Sequence, residues 1–264
     1  MKGIRLFFAF IIAVLILQSF LANLFRRIQE YVANCEEYSQ SLETPHTAMN
    51  HQRSWRDHAH SQRYCMNFDV KLKHFGDSKN NKKNVETILT ESYAEYWGAI
   101  YQSLYAYDSS KLLNIKDSLH TLAKQQKLNK SEFAHMVVKF VQDIPYSYVI
   151  SESCDGQNYN KPCSGNQRFG INSPVEFLYT LKGDCDTRTV LLFGILKEFG
   201  FDPLILISRE YLHSMLALDI PASGEFISFQ GRKFYFWETT NTGWEPGMLA
   251  PDMQNVSYWD VALF

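Results

Sequence analysis

The stretch Leu181-Lys-Gly-Asp-Cys-Asp-Thr-Arg-Thr-Val-Leu-Leu-Phe-Gly-Ile-Leu-Lys-Glu-Phe-Gly200 constrains this chain more than any other. It spells a tight turn followed by a helix that starts at Cys185. Gly183 is placed to supply the turn, Asp184 to cap the helix and Gly200 to end it. Val190, Leu191, Phe193, Gly194 and Leu196 give the helix a core-facing side. A thiol at a helix N-terminus feels the positive end of the dipole, which lowers its pKa from about 8.5 toward neutrality. Single helical cysteines are more often buried structural residues, so the role of Cys185 depends on the residues downstream.

The rest of the chain falls into helices first and strands after. Residues 26 to about 60 are polar and mixed. They carry His46, His51, His58 and His60, which read as solvated histidines rather than a metal site. From Tyr64 the pattern alternates: Met66, Phe68, Val70 and Leu72 face one way, Asn67, Asp69, Lys71 and Lys73 the other, as in a half-buried strand. Residues 76–84 are rich in lysine and asparagine and read as a solvated loop. Helices are expected over 85–107, 112–128 and 129–144, with Asn129 capping the third and Pro145 stopping it. A polar loop spans 151–172, long enough to form a rim or lid beside a site or a surface insertion. A short helical element at 175–179 leads into the cysteine helix. Strands are then expected at 203–207, 213–219, 224–231 and 233–238. That order is an α+β signature, with helices packed on an antiparallel sheet, rather than alternating βαβ units.

Three residues at element boundaries have the chemistry of an activated thiol. Cys185 begins a helix, His213 begins a strand, and Glu238 ends one. A thiol nucleophile needs a base within hydrogen-bond reach, and the base needs a third group to fix its tautomer. On the strand alternation His213 shares a face with Met215 and Ala217.

Several segments carry a family resemblance: Phe140-Val-Gln-Asp-Ile-Pro-Tyr146, Ser173-Pro-Val-Glu-Phe-Leu178, Gly183-Asp-Cys-Asp-Thr187, His213-Ser-Met215 and Phe236-Trp-Glu-Thr-Thr240 followed by Gly243-Trp244. In this order, over roughly residues 110 to 248, the chain resembles the bacterial and archaeal transglutaminase-like superfamily. The resemblance implies a papain-like α+β core with a Cys-His-Asp/Glu triad: Cys185 as nucleophile, His213 as base and acid, Glu238 as orienting carboxylate. Glu stands where Asp is more usual, as in the Glu-Thr-Thr branch of the family. By analogy with papain-like sites Gln142 is an oxyanion candidate beside the backbone N–H of Cys185. The chemistry implied is attack on an amide, a thioester, then hydrolysis of the cysteine-peptidase type. Transfer to an amine (glutamine crosslinking) and a non-catalytic scaffold role within a membrane complex are the alternatives, residues 26–110 being the docking surface in the last.

Leu6 to Phe25 is a nearly continuous apolar run between Lys2, Arg5 and Arg26-Arg27. At 1.5 Å per residue its length matches a hydrocarbon core of about 30 Å. It is long for a signal peptide's apolar region, and Phe20 occupies a position where cleavage wants a small residue. A signal-anchor helix over 1–27 is therefore expected, then a polar segment with a strand (28–84), then a transglutaminase-like domain (85–264). The five cysteines suggest two bridges, Cys154–Cys163 around a polar loop and Cys35–Cys65, with Cys185 left free. The charges flanking the run barely discriminate its orientation, and this cysteine usage leads us to expect the main domain outside the cytoplasm. A net charge of −2 gives no sign of a nucleic-acid partner. A peptide or protein substrate is expected, and no metal or cofactor.

Overall fold

The computed structural model describes residues 16–22, 47–156 and 158–264. Residues 16–22 are helical and exposed; the remainder of the 6–25 run, with most of the expected anchor, lies outside the described residues. Among the described residues no helix is long and apolar enough to cross a membrane. The chain divides into two units, Met1–Glu43 and Thr44–Phe264, and the second carries the sheets and the candidate site.

Two antiparallel strands open that unit, β1 (Ala48–Asp57) and β2 (Gln62–Lys71), with Ala48 opposite Lys71 and Asp57 opposite Gln62. In β2 the expected alternation holds for Met66, Phe68 and Val70, which are buried along with Tyr64, but Leu72, expected on the same face, is exposed and begins the helix that follows the strand. β1 is not legible from periodicity, because only Trp55 and Asp57 along it are buried. It is fixed instead by its ladder to β2 and by the Trp55 indole, which donates to the Met136 carbonyl at 3.0 Å. His51 is not the solvated histidine expected: it packs on the Phe68 ring, and its Nε2 bonds the Tyr179 carbonyl at 3.2 Å.

The largest departure is α1 (Leu72–Lys83), which replaces the loop expected over 76–84. This helix has no apolar face. Its buried residues are Ser78 and Lys82. Ser78 donates to Asp108 at 2.5 Å. Lys82 reaches Glu176 at 2.8 Å, the Ile171 carbonyl at 2.7 Å and Gln167 at 3.1 Å. A helix anchored by polar side chains leaves no hydrophobic period to read.

Next comes α2 (Tyr93–Asp108), which starts at the Ser92 cap rather than at Val85. It is followed by α3 (Leu113–Gln126) and α4 (Lys130–Gln142), the latter opened by a reciprocal Asn129–Glu132 capping box. Strands β3 (Tyr148–Val149) and β4 (Cys163–Ser164) form a short parallel pair. Then come α5 (Pro174–Thr180), with its own Ser173–Glu176 box, and α6 (Cys185–Glu198). α6 is buried on every side, beyond the single face expected: Leu192, Ile195 and Arg188 are enclosed along with Val190, Leu191 and Phe193.

The main sheet is antiparallel throughout, in the order β7 (Phe226–Phe229), β8 (Arg232–Trp237), β6 (His213–Leu218), β5 (Leu204–Ser208), β9 (Asp260–Leu263). Leu216, Leu218 and Trp237 face the helices. Met215, Ala217, Phe234 and Phe236 face the other way and are covered by Leu249 and Trp259. The described residues are thus a mixed α and β structure, with helices packed on an antiparallel sheet. The β1–β2 hairpin belongs to the same core as α3, α4 and α6 rather than to a segment apart, Trp55 and Phe68 both packing on Phe140. Cys154 and Cys163 are bridged. Cys65 is disulfide-bonded, and its expected partner Cys35 lies outside the described residues.

The Lys82–Glu176 pair is 2% and 3% exposed. Removing one member strands the other's charge, whereas replacing both with apolar groups does not. Lys82→Ala is expected to cost about 3–5 kcal/mol of stability, and Lys82→Met with Glu176→Leu much less. Thermal unfolding of the three proteins checks this; a double variant no more stable than the single one contradicts it.

Candidate active site

The turn before Cys185 is made by Leu181, which caps α5 in the left-handed conformation at φ 51°. Gly183, expected to supply that turn, has a different reason to be glycine. A Cβ there would lie 2.8 Å from the Thr187 methyl and 2.9 Å from the Phe177 ring. Asp184 caps α6 as expected, accepting the Thr187 N–H at 3.1 Å. Cys185 is therefore the first helical residue, 8% exposed and unbridged.

His213 is the first residue of β6, and Glu238 directly follows Trp237, the last residue of β8. The two strands are antiparallel neighbours, so a start and an end come to the same edge. There the Glu238 carboxylate meets His213 Nε2 at 2.8 Å. The Cys185 thiol lies close enough to the same imidazole for each to shift the other's ionisation. With Nε2 engaged by the carboxylate, Nδ1 is the nitrogen left to serve the sulfur. The three residues expected from the sequence are thus brought together.

Glu238 is held by its own neighbours. Its Oε1 accepts the Thr239 N–H at 2.7 Å, the Thr240 N–H at 2.9 Å and the Thr240 hydroxyl at 2.8 Å. Oε2 is left to the imidazole. The two threonines of Glu-Thr-Thr thus aim the carboxylate, a role that only a Glu followed by donors hints at in the sequence.

Burial is the largest influence on each ionisable group here. It works against charge on Glu238, but the bonds to His213 and Thr240 outweigh it and hold the carboxyl below its usual range. It also works against an imidazolium, but Cys185 and Glu238 together raise His213 well above its ordinary value. For Cys185, burial pushes the thiol up, the Asp186 charge adds to this, and His213 opposes both. The helix dipole expected to lower this thiol's pKa is outweighed. A thiolate is favoured here only as the partner of a protonated His213.

The carboxylates beside the cysteine have their own ties. Tyr101 donates to Asp186 at 2.5 Å. Burial, helped by Asp186, lifts Asp184 from 3.8 to about 7. Because the folded form binds this proton more tightly than the unfolded chain, Asp184 weakens folding as pH rises from 3.8 to about 7.

Gln142 does not present a free oxyanion donor. Its amide nitrogen donates to the carbonyls of Glu238 at 2.7 Å and Trp244 at 3.0 Å. It ties the end of α4 to the segment after β8. Tyr146 lies near Cys185, and burial, helped by the charges of Cys185 and Asp184, raises its pKa far above the usual range. Lys161 of the bridged loop sits 4.5 Å from the Tyr146 ring centre, so that loop borders the site.

Arg188 is a residue that the motifs do not single out. It is fully buried and donates to four backbone carbonyls: Gly183 at 3.0 Å, Val141 at 2.8 Å, Thr239 at 3.2 Å and Ile144 at 2.6 Å. These belong to the turn before Cys185, the end of α4 and the residue after Glu238. Its position one turn below the cysteine, in an otherwise apolar helix, is the available signal.

No family model matches the chain, and neither does any curated protein or solved structure.

Two outcomes are expected. Arg188→Ala leaves four buried carbonyls without their donor and is expected to cost about 3–5 kcal/mol, measured by denaturant unfolding. Arg188→Lys keeps a charge but not the planar fork, and recovers little of the loss. Asp186→Asn removes a negative charge beside the sulfur. It is expected to move the pH profile of Cys185 alkylation to lower pH; a shift to higher pH, or none, contradicts the stated electrostatics.

Proposed function

We propose that this chain is a thiol enzyme with a transglutaminase-like, papain-type core, hydrolysing an amide of a peptide or protein through Cys185, His213 and Glu238. The observation that carries the reading is the 2.8 Å contact between His213 Nε2 and Glu238, with the Cys185 thiol beside the same ring. That arrangement matches what a thiol nucleophile requires: a base in reach and a group that fixes its tautomer.

In the proposed reaction the Cys185 proton passes to His213 Nδ1, and Sγ of the resulting ion pair attacks the amide carbon. Glu238 supports the imidazolium that forms. In this reading the backbone N–H of Cys185 donates to the developing oxyanion. Collapse of the tetrahedral intermediate breaks the C–N bond, and His213 returns the proton to the leaving amine. The remaining thioester is attacked by water, which His213 deprotonates. Carboxylate product leaves, and the thiol regains its proton. Burial of the thiol means that the ion pair, not a free thiolate, is the reactive form.

The membrane reading accompanies this one. We infer that the run from Leu6 to Phe25 anchors the chain and that the main unit lies outside the cytoplasm. The Cys154–Cys163 bridge supports that side, since such bonds persist in oxidising compartments.

Alkylation by iodoacetamide across pH tests the site directly. In the native protein Cys185 is expected to react through a pair with His213, so His213→Ala slows alkylation sharply near neutral pH, and Glu238→Gln does so less. If Cys185 reacts as an ordinary thiol with and without His213, the enzyme reading fails and a scaffold role takes its place.

A further inference from the structure

A second cluster of chemically capable side chains lies away from the thiol. Asp57 ends β1, His60 sits in the turn between β1 and β2, and His135 lies on α4. One donor atom of each falls within 4.8 Å of the other two. Asp57 is 1% exposed. It accepts from the His60 backbone N–H at 3.2 Å, and its other oxygen meets His60 Nδ1 at 2.8 Å. The two imidazoles meet edge to face, 4.7 Å between ring centres. A carboxylate this deeply enclosed calls for a cation or a full set of donors.

An independent observation points the same way. His135 is 7% exposed, and its Nδ1 is buried without a hydrogen-bond partner. Glu245 Oε2 lies 3.5 Å from that nitrogen and is likewise buried and unbonded. Lys139, the nearby cation of α4, is engaged elsewhere, on Glu245 Oε1 and the Trp244 carbonyl.

We propose that Asp57, His60 and His135 bind a divalent first-row transition ion of the zinc type, with Glu245 as the carboxylate that holds the His135 ring. Two imidazoles and one carboxylate form a mixed nitrogen and oxygen set that suits zinc and its neighbours, whereas calcium and magnesium take oxygen ligands. Zinc at about 2.1 Å from each donor places tetrahedral ligands about 3.4 Å apart. The donors, now within 4.8 Å of one another, adjust to that spacing on binding, a movement available to His60 on its exposed turn. Water completes the fourth position. A carboxylate beside a ligating histidine is the usual second support of such sites. The ion would join the tip of the β1–β2 hairpin to α4 and, through Glu245, to the segment after Glu238.

The test uses the full chain, stripped with a chelator and dialysed, then titrated with zinc by calorimetry and with cobalt(II) by visible absorption. One ion per chain is expected, with cobalt bands of a four-coordinate site and no sulfur-to-cobalt charge transfer. Calcium gives no comparable heat. His60→Ala and Asp57→Asn are each expected to weaken zinc binding by about 100-fold or more, and Glu245→Gln by about 10–100-fold. Cys185→Ala leaves it unchanged. His60 is exposed, so circular dichroism of metal-free His60→Ala is expected to match the parent, which separates loss of a ligand from loss of fold. Absence of stoichiometric binding at micromolar zinc overturns the proposal. So does binding that survives His60→Ala and Asp57→Asn but is lost in Cys185→Ala, which would place the ion on the thiol.

Discussion

The guanidinium of Arg188 is the interaction on which the rest of the candidate site depends. A backbone carbonyl buried without a donor is costly, and three chain segments end their regular structure near one point. The end of α4, the turn before α6 and the residue after Glu238 all leave carbonyls there. One planar group with its donors in a fixed fork answers four of them at once. Its charge also has an electrostatic role. Burial lowers Arg188 only to about 10, so it stays cationic near Asp184, Cys185 and Glu238.

That arrangement has a counterpart elsewhere in the molecule. α1 is held by Lys82 and Ser78, whose partners lie on α2, α5 and the loop before α5. The Glu238 carboxylate is clamped by its own following residues. In each case a polar group replaces what an apolar contact does elsewhere, and it does so with direction. Apolar packing fixes how closely elements approach; these polar groups fix which atoms face one another. The second is what a site requires, because proton transfer depends on an aligned donor and acceptor.

The same distinction explains which parts of the molecule are legible in its sequence. β2, α3, α4, α6 and the strands β5 to β8 announce themselves by apolar period and by caps at Asn129 and Asp184. Cys185, His213 and Glu238 stand out because each sits at the boundary of such an element. β1 and α1 escape a periodic reading because their few buried residues, Trp55 and Asp57 in one and Ser78 and Lys82 in the other, make no pattern. Arg188 is hidden inside an apolar helix, and His60 reads as solvated although Asp57 stands one turn before it. The pull of the helix dipole on Cys185 is correctly signed but incomplete, since burial and Asp186 act only once the chain is folded.

The last strand places a constraint on the order in which this structure can form. β9 covers the open edge of β5, the strand that directly follows α6, and Trp259 packs against both Phe236 and the His213 ring. All three residues of the triad precede it in the chain. During synthesis they emerge before the segment that closes the sheet beside them, leaving β5 with an unpaired edge and one sheet face uncovered. The last contact on the His213 ring is therefore made only after the sheet's final strand is in place. A chain stopped short of residue 259 would carry the whole triad in sequence and lack the indole that packs on the His213 ring.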